Sequence, residues 1–160
     1  MEMRSLFRLN RYLSCSSVLS VILVALAVSG CASTKVKMYP GKEVASNQQA
    51  TIRTGPLSSS LTTMQIVRVD GKDTADFFAF LFHGGQRAGE VYVLPGKHNI
   101  LVEMHLAFTY AMADLWLVAE PGETYVIKYL SKGYRVRIWI ENERTGRPVG
   151  GVTGSDDEPK

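Results

Sequence analysis

The stretch HNILVEMHLAF, residues 98–108, decides the fold class. Ile100, Val102, Met104, Leu106 and Phe108 fall on one parity, with Glu103 and His105 on the other. Successive side chains of a β-strand point to opposite faces, so this spacing lays out one apolar face ready for burial. The same two-residue period returns on either side. Downstream, residues 114–120 carry Leu115, Leu117 and Ala119 in phase and end at Pro121-Gly122. Residues 124–130 then align Tyr125, Ile127 and Tyr129, and residues 134–141 set Val136, Ile138 and Ile140 against Arg135, Arg137, Trp139 and Glu141. Upstream, TTMQIVRV at residues 62–69 runs into Asp70-Gly71, a tight-turn dipeptide, and residues 90–94 end at Pro95-Gly96. No long 3.6-residue pattern competes. The chain is expected to be all-β, a sandwich-like or partly open barrel of about seven strands over residues 50–149.

Two stretches resist this reading. ADFFAFLF at residues 75–82 is a dense apolar run without a clean period. It suits a buried strand, a short helix under the sheet or an exposed hydrophobic loop. GGVTGSDDEPK at residues 150–160 is polar and acidic, which predicts a disordered tail.

The first thirty residues have a different character. Arg4, Arg8 and Arg11 give a basic start, and residues 18–28 (VLSVILVALAV) form an apolar run of eleven. A membrane-spanning helix needs about 20 apolar residues, so this run has the length of a signal-peptide core instead. Val28-Ser29-Gly30-Cys31 follows: an aliphatic residue, two small residues and a cysteine. This resembles the lipobox of bacterial lipoproteins. The resemblance implies that residues 1–30 are a signal peptide, cut between Gly30 and Cys31. It also implies that Cys31 carries a diacylglyceryl thioether and an acyl chain such as palmitate. A plain secretory signal cut nearby, after Ala32, is the alternative. Residues 31–49 are then a lipidated tether with a first short strand at residues 36–39. Ala32, where an aspartate would signal inner-membrane retention in such lipoproteins, implies an outer-membrane anchor with the domain facing the periplasm.

Removing residues 1–30 alters the charge argument. The chain has 18 basic and 15 acidic residues, net +3, and the first thirty hold three arginines and one glutamate. The remainder is nearly neutral, with its charges interleaved. A nucleic-acid partner, which needs a basic stripe, is not expected. Of the two cysteines, Cys15 leaves with the signal and Cys31 is acylated, so the domain has no thiol for a disulfide or a metal. Its stability must come from an ordinary apolar core, which roughly a hundred residues can supply.

The chemistry-bearing residues form no catalytic or metal pattern, and no cofactor is expected. His83, His98 and His105 lack HxH or HExxH spacing. His98 and His105 are seven apart on one strand and so face opposite sides. Asp70, Asp73 and Asp76 recur every third residue, but an EF-hand needs alternate ligands and a closing glutamate, so they read as solvated turn carboxylates. Ser58-Ser59-Ser60 sits in a polar linker without a GxSxG context. Glu141 and Glu143 read as a surface cluster with Arg137 and Arg144. A small hydrolase would lack its site chemistry. Binding is the better prospect: Trp139 with Arg135 and Arg137 joins an aromatic platform to cationic donors, a surface that can take sugars, peptides or protein. Trp116 is likewise out of phase with its strand's apolar residues. Each tryptophan has a plainer reading as core.

Val69-Asp70-Gly71-Lys72, followed by LPGKHNILV at residues 94–102, resembles PEGA-type β modules. The larger pattern adds the lipobox, AEPGETY at residues 119–125 and Trp139-Ile140-Glu141-Asn142 before Thr145-Gly146. It is similar to a group of small bacterial lipoproteins with those landmarks. That resemblance implies a membrane-anchored envelope component with a structural role or a protein partner. A carbohydrate or peptidoglycan-fragment binder using Arg135, Arg137 and Trp139 is the second expectation.

Overall fold

The computed structural model describes residues 35–57, 62–75, 87–106, 109–133 and 135–159, all within the compact unit 33–160. Cys31, Ser58-Ser59-Ser60 and the aromatic run at 77–82 lie outside the described residues. Eleven strands are present among those described: β1 (Lys35–Lys37), β2 (Ala50–Thr54), β3 (Thr62–Val69), β4 (Lys72–Asp73), β5 (Glu90–Val93), β6 (Gly96–Leu106), β7 (Thr109–Ala119), β8 (Thr124–Lys132), β9 (Arg135–Asn142), β10 (Pro148–Val149) and β11 (Gly151–Val152). Seven of these have four or more residues. The other four are edge pieces; β1 falls at the short strand expected at 36–39, and β4, β10 and β11 are too short to carry a period-two signal.

The strands make two sheets in a sandwich-like arrangement, not a closed barrel. The first runs β1-β5-β2-β8-β9-β10 and the second β11-β7-β6-β3-β4. Most neighbours are antiparallel, but β2 runs parallel to β8, and β1 parallel to β5. The inner faces follow the expected parities. Ile100, Val102 and Met104 of β6 are fully buried beside Leu115 and Leu117 of β7. Ile52, Val91, Val93, Ile127 and Ile140 of the first sheet close over them in one apolar cluster. Burial of such side chains contributes about 1.5–3 kcal/mol each, and no covalent staple is needed.

β3 shows what the pattern conceals. Ile66 pairs with Val102 but Arg68 with Leu101, so Val67 is an extra residue in a β-bulge. The bulge shifts parity, which lets Met64, Ile66 and Val69 all reach the core. The two strands expected over 98–108 and 114–120 are β6 and β7, which pair as one hairpin with eleven residues in each arm; β7 begins at Thr109, five residues earlier than expected. Residues 109–113 hid this because Tyr110 and Met112 are apolar yet face outward and exposed.

The short strand expected at 36–39 is present at Lys35–Lys37, and the C-terminal segment expected to be loose is docked. Residues 35–49, read as tether, add β1 to the edge of the first sheet, and Tyr39 is buried with its hydroxyl bonded to Gln49. Residues 150–159, read as a disordered tail, add β11 along β7. The Thr153 N–H and hydroxyl both donate to Asp114, and the Trp116 Nε1–H reaches the Ser155 hydroxyl at 3.3 Å. Lys97 pairs with Glu158 at 2.8 Å. Polarity argued for a tail, but the unpaired edge of β7 supplies partners for this polar backbone.

Gly150 makes the approach possible. Its φ is +70°, and a Cβ there would lie 2.1 Å from the Trp116 carbonyl oxygen. Gly150→Ala is expected to release the terminal strand at a cost of about 1–2 kcal/mol. Limited proteolysis should then trim the C-terminus faster while the sandwich survives, and Trp116 emission should shift to the red.

Candidate functional site

The residues singled out for chemistry fall into three clusters. The first joins the turns at one end of the sandwich. Val69 pairs with Lys72, and Asp70 and Gly71 between them have φ of +51° and +77°, a two-residue turn matching the right-handed twist of the strands. Asp70 accepts from the Asn99 N–H at 2.9 Å through Oδ1 and lies 2.6 Å from His98 Nδ1 through Oδ2. The VDGK and LPGKHN landmarks thus meet at one carboxylate. Asp70 is therefore a structural acceptor and not a merely solvated charge. Asp73 sits apart, 3.3 Å from Arg68 and 3.8 Å from Arg87.

An aspartate beside a histidine is also two thirds of a nucleophilic triad, so the other side of the ring matters. His98 Nε2 lies 2.7 Å from the Leu94 carbonyl oxygen. A carbonyl only accepts, so this nitrogen is not placed to take a proton from a hydroxyl. The pair clamps two turns together.

The second cluster does the same for the AEPGETY and WIEN landmarks. Glu123 accepts from Asn142 Nδ2 at 2.8 Å and from the Arg144 guanidinium. Asn142 also receives the Thr145 N–H through its side-chain oxygen, and its backbone bonds to Arg147 and Gly146. The Tyr125 hydroxyl accepts from the Glu120 N–H at 2.9 Å, and burial pushes its pKa up. Arg144, with Asn142 beside it, holds the Glu123 carboxyl below its ordinary value. The surface cluster expected of Glu141 and Glu143 with Arg137 and Arg144 is divided among other partners. Glu143 pairs with Arg53, while Glu141 accepts from Trp139 Nε1 at 2.8 Å and lies 4.0 Å from Lys128.

The third cluster holds the candidate binding residues. Arg135, Arg137 and Trp139 share the outer face of the first sheet, opposite Lys132, Leu130 and Lys128 of β8. Trp139 is half-buried, and the Arg137 guanidinium sits over its ring at 5.7 Å. One face of the platform is thus already occupied. Trp116 lies on the other sheet under Gly151, whose added Cβ would come 2.9 Å from the indole nitrogen. The two tryptophans therefore make no common surface, and Trp116 is the seat of the terminal strand. Sequence reading missed Lys128, Leu130 and Lys132 as neighbours of Trp139, because cross-strand register is invisible without the pairing.

Among the described residues no three His, Cys, Asp or Glu side chains converge as metal ligands, and no helix is long and apolar enough to cross a membrane.

Two predictions follow from the turn clusters. Asp70→Ala, which loses the acceptor and puts at φ +51° a residue that tolerates the left-handed region less well than aspartate, should cost about 1–3 kcal/mol in urea unfolding. Asp70→Asn keeps an acceptor and tolerates that φ, so it should cost clearly less. Glu123, with its folded pKa depressed, contributes stability that is full above its ordinary value near 4.5 and is lost as pH falls through the folded value. Glu123→Gln should lower the urea midpoint at neutral pH and lose less of it than the parent between pH 4.5 and the acid limit. No family model, no curated protein and no solved structure matches the chain, so its fold and its candidate site stand on its own residues.

Proposed function

We propose that this chain is an envelope lipoprotein, held by lipid on Cys31, whose β-sandwich has a structural or protein-binding role. The observation that carries the reading is the order basic start, eleven-residue apolar run, Val28-Ser29-Gly30-Cys31. Each part suits one step: membrane targeting, insertion of a short apolar segment, then cutting beside small residues to leave a cysteine for acylation. The sandwich supports it from the other side. The polar landmarks of the domain, Asp70, His98, Glu123 and Asn142, are engaged in holding turns, which suits a robust scaffold better than a reaction centre. Ala32 after the cysteine favours the outer membrane, with the domain in the periplasm. Two or more acyl chains at about 0.8 kcal/mol per buried methylene make such an anchor stable on their own.

A second reading, binding of a carbohydrate or peptidoglycan fragment, rests on the exposure of Arg135 and Arg137 beside Trp139. It is weakened by the guanidinium already stacked on the indole. Glycan-array binding that disappears in Trp139→Ala would favour it.

The main reading is tested by palmitate labelling of cells expressing the full chain. Label should enter the wild-type protein and sediment with the envelope. Cys31→Ser should carry no label and should accumulate uncut or soluble. Wild-type protein that is soluble and unlabelled would sink the anchor. Cross-linking in intact envelopes should return the same protein partner in repeated captures if the role is assembly.

A further inference from the structure

The two longest hairpins point the same way. β5 passes into β6, and β7 into β8, through turns at 94–95 and 120–123. The other ends of β6–β7 and β8–β9 therefore lie together at the opposite end of the sandwich. On the first sheet that end displays Leu130, 60% exposed; on the second it displays Tyr110 and Met112, 52% and 49% exposed, across from His105 and Glu103. It also displays Lys132, Arg135 and Arg137 on one face of the β8–β9 hairpin, all exposed.

Those cations are arranged at a cost to the fold. Lys132 stands directly across from Arg135, and like charges in that position destabilise a strand pair. Among the described residues no acid lies within ion-pair distance of Lys132, Arg135 or Arg137; Glu141, Glu90 and Glu143 are nearer the other end and already paired. An exposed leucine directly across from Arg137 and beside uncompensated cations matches an anionic lipid surface, where headgroups take the charge and the interface takes the apolar side chain.

The chain's own path agrees. β1 is parallel to β5 and runs toward the end where β5 turns into β6, so the backbone enters Lys35 from the hairpin-tip side. Lys35 is level with Glu90, Arg53 and Val126 across the sheet. Four residues cannot span more than about 14 Å, and Leu130 lies four residues, about 13 Å, beyond Val126 toward the tip. A lipid on Cys31 would hold a bilayer within reach of that tip.

From this geometry we infer that the β8–β9 hairpin end docks on anionic phospholipid headgroups, setting the orientation of a domain that the acyl chains attach. The inference rests on the anchoring reading above. Lys132, Arg135 and Arg137 supply the charge, and Leu130 enters the interface.

The test uses the full, processed chain reconstituted into vesicles. A fluorescent thiol label is placed at Ser131→Cys or, as control, at Asn47→Cys beside the β7–β8 turn, about 20 Å or more away. Spin-labelled lipids should quench the Ser131 probe in phosphatidylcholine/phosphatidylglycerol vesicles, much less in phosphatidylcholine alone, and the Asn47 probe in neither. Arg135→Gln and Arg137→Gln should each reduce the docked-to-undocked ratio about fivefold while the protein stays on the vesicle. Raising salt from about 0.1 to about 1 M, which shortens the screening length from about 10 to about 3 Å, should release the probe. No palmitate on the wild-type chain overturns both readings. Palmitate with an unquenched Ser131 probe, or quenching indifferent to headgroup charge and to both substitutions, overturns the docking alone. Cross-linking from Ser131→Cys to an envelope protein, with no lipid quenching, would assign the same surface to a protein partner and equally overturn it.

Discussion

Two apolar faces that must cover one another govern this structure. With no cysteine in residues 35–159, the sandwich depends on Ile52, Ile66, Ile100, Leu117, Ile127 and Ile140 being removed from water together. Everything else adjusts to that contact. The Val67 bulge exists in β3 because it turns Val69 inward without breaking the ladder to β6. The parallel β2–β8 pairing brings Ile52 beside Tyr125 and Ile127, residues more than seventy positions later, and so completes the inner face of the first sheet.

Once the two faces meet, the turns at one end have to be held at fixed spacing, and the polar landmarks do this. Asp70 connects the β3–β4 turn to the start of β6. Glu123 and Asn142 connect the β7–β8 turn to the end of β9. Both arrangements place a charged or amide side chain where groups from separate segments converge on it, which is worth more than a surface ion pair of the same length. Chemistry-bearing residue types are thereby used up as architecture. The Asp70–His98 pair shows how close such a clamp comes to catalytic geometry, and how the Leu94 carbonyl directs it elsewhere.

The two ends of the sandwich consequently differ in character. One is tied by short turns and hydrogen-bonded carboxylates. The other carries hairpin tips with exposed Leu130, Tyr110 and Met112 and unneutralised cations. Residues 31–160 are nearly neutral overall yet carry unneutralised cations at one end, since overall charge says nothing about where along a strand lysines and arginines fall.

Much of the fold was legible because burial on one face writes a period of two into each long strand. Residues 98–106, 124–130 and 135–142 carry that period plainly, and Asp70-Gly71 marks a turn through its backbone freedom alone. The lipobox pattern is likewise local and needs no fold. The rest depends on contacts between distant residues. Polarity at 150–159 says nothing of an open edge on β7, and alternation in β3 cannot announce a bulge that exists only against β6. Alternation separates Trp139 from Val136, Ile138 and Ile140, but that it is half-buried outside the core beside Lys128, and that Gly151 covers Trp116, are products of register and packing. Local pattern determined which faces are apolar and where the chain turns; the tertiary structure decided which strands meet, and therefore which side chains share a site.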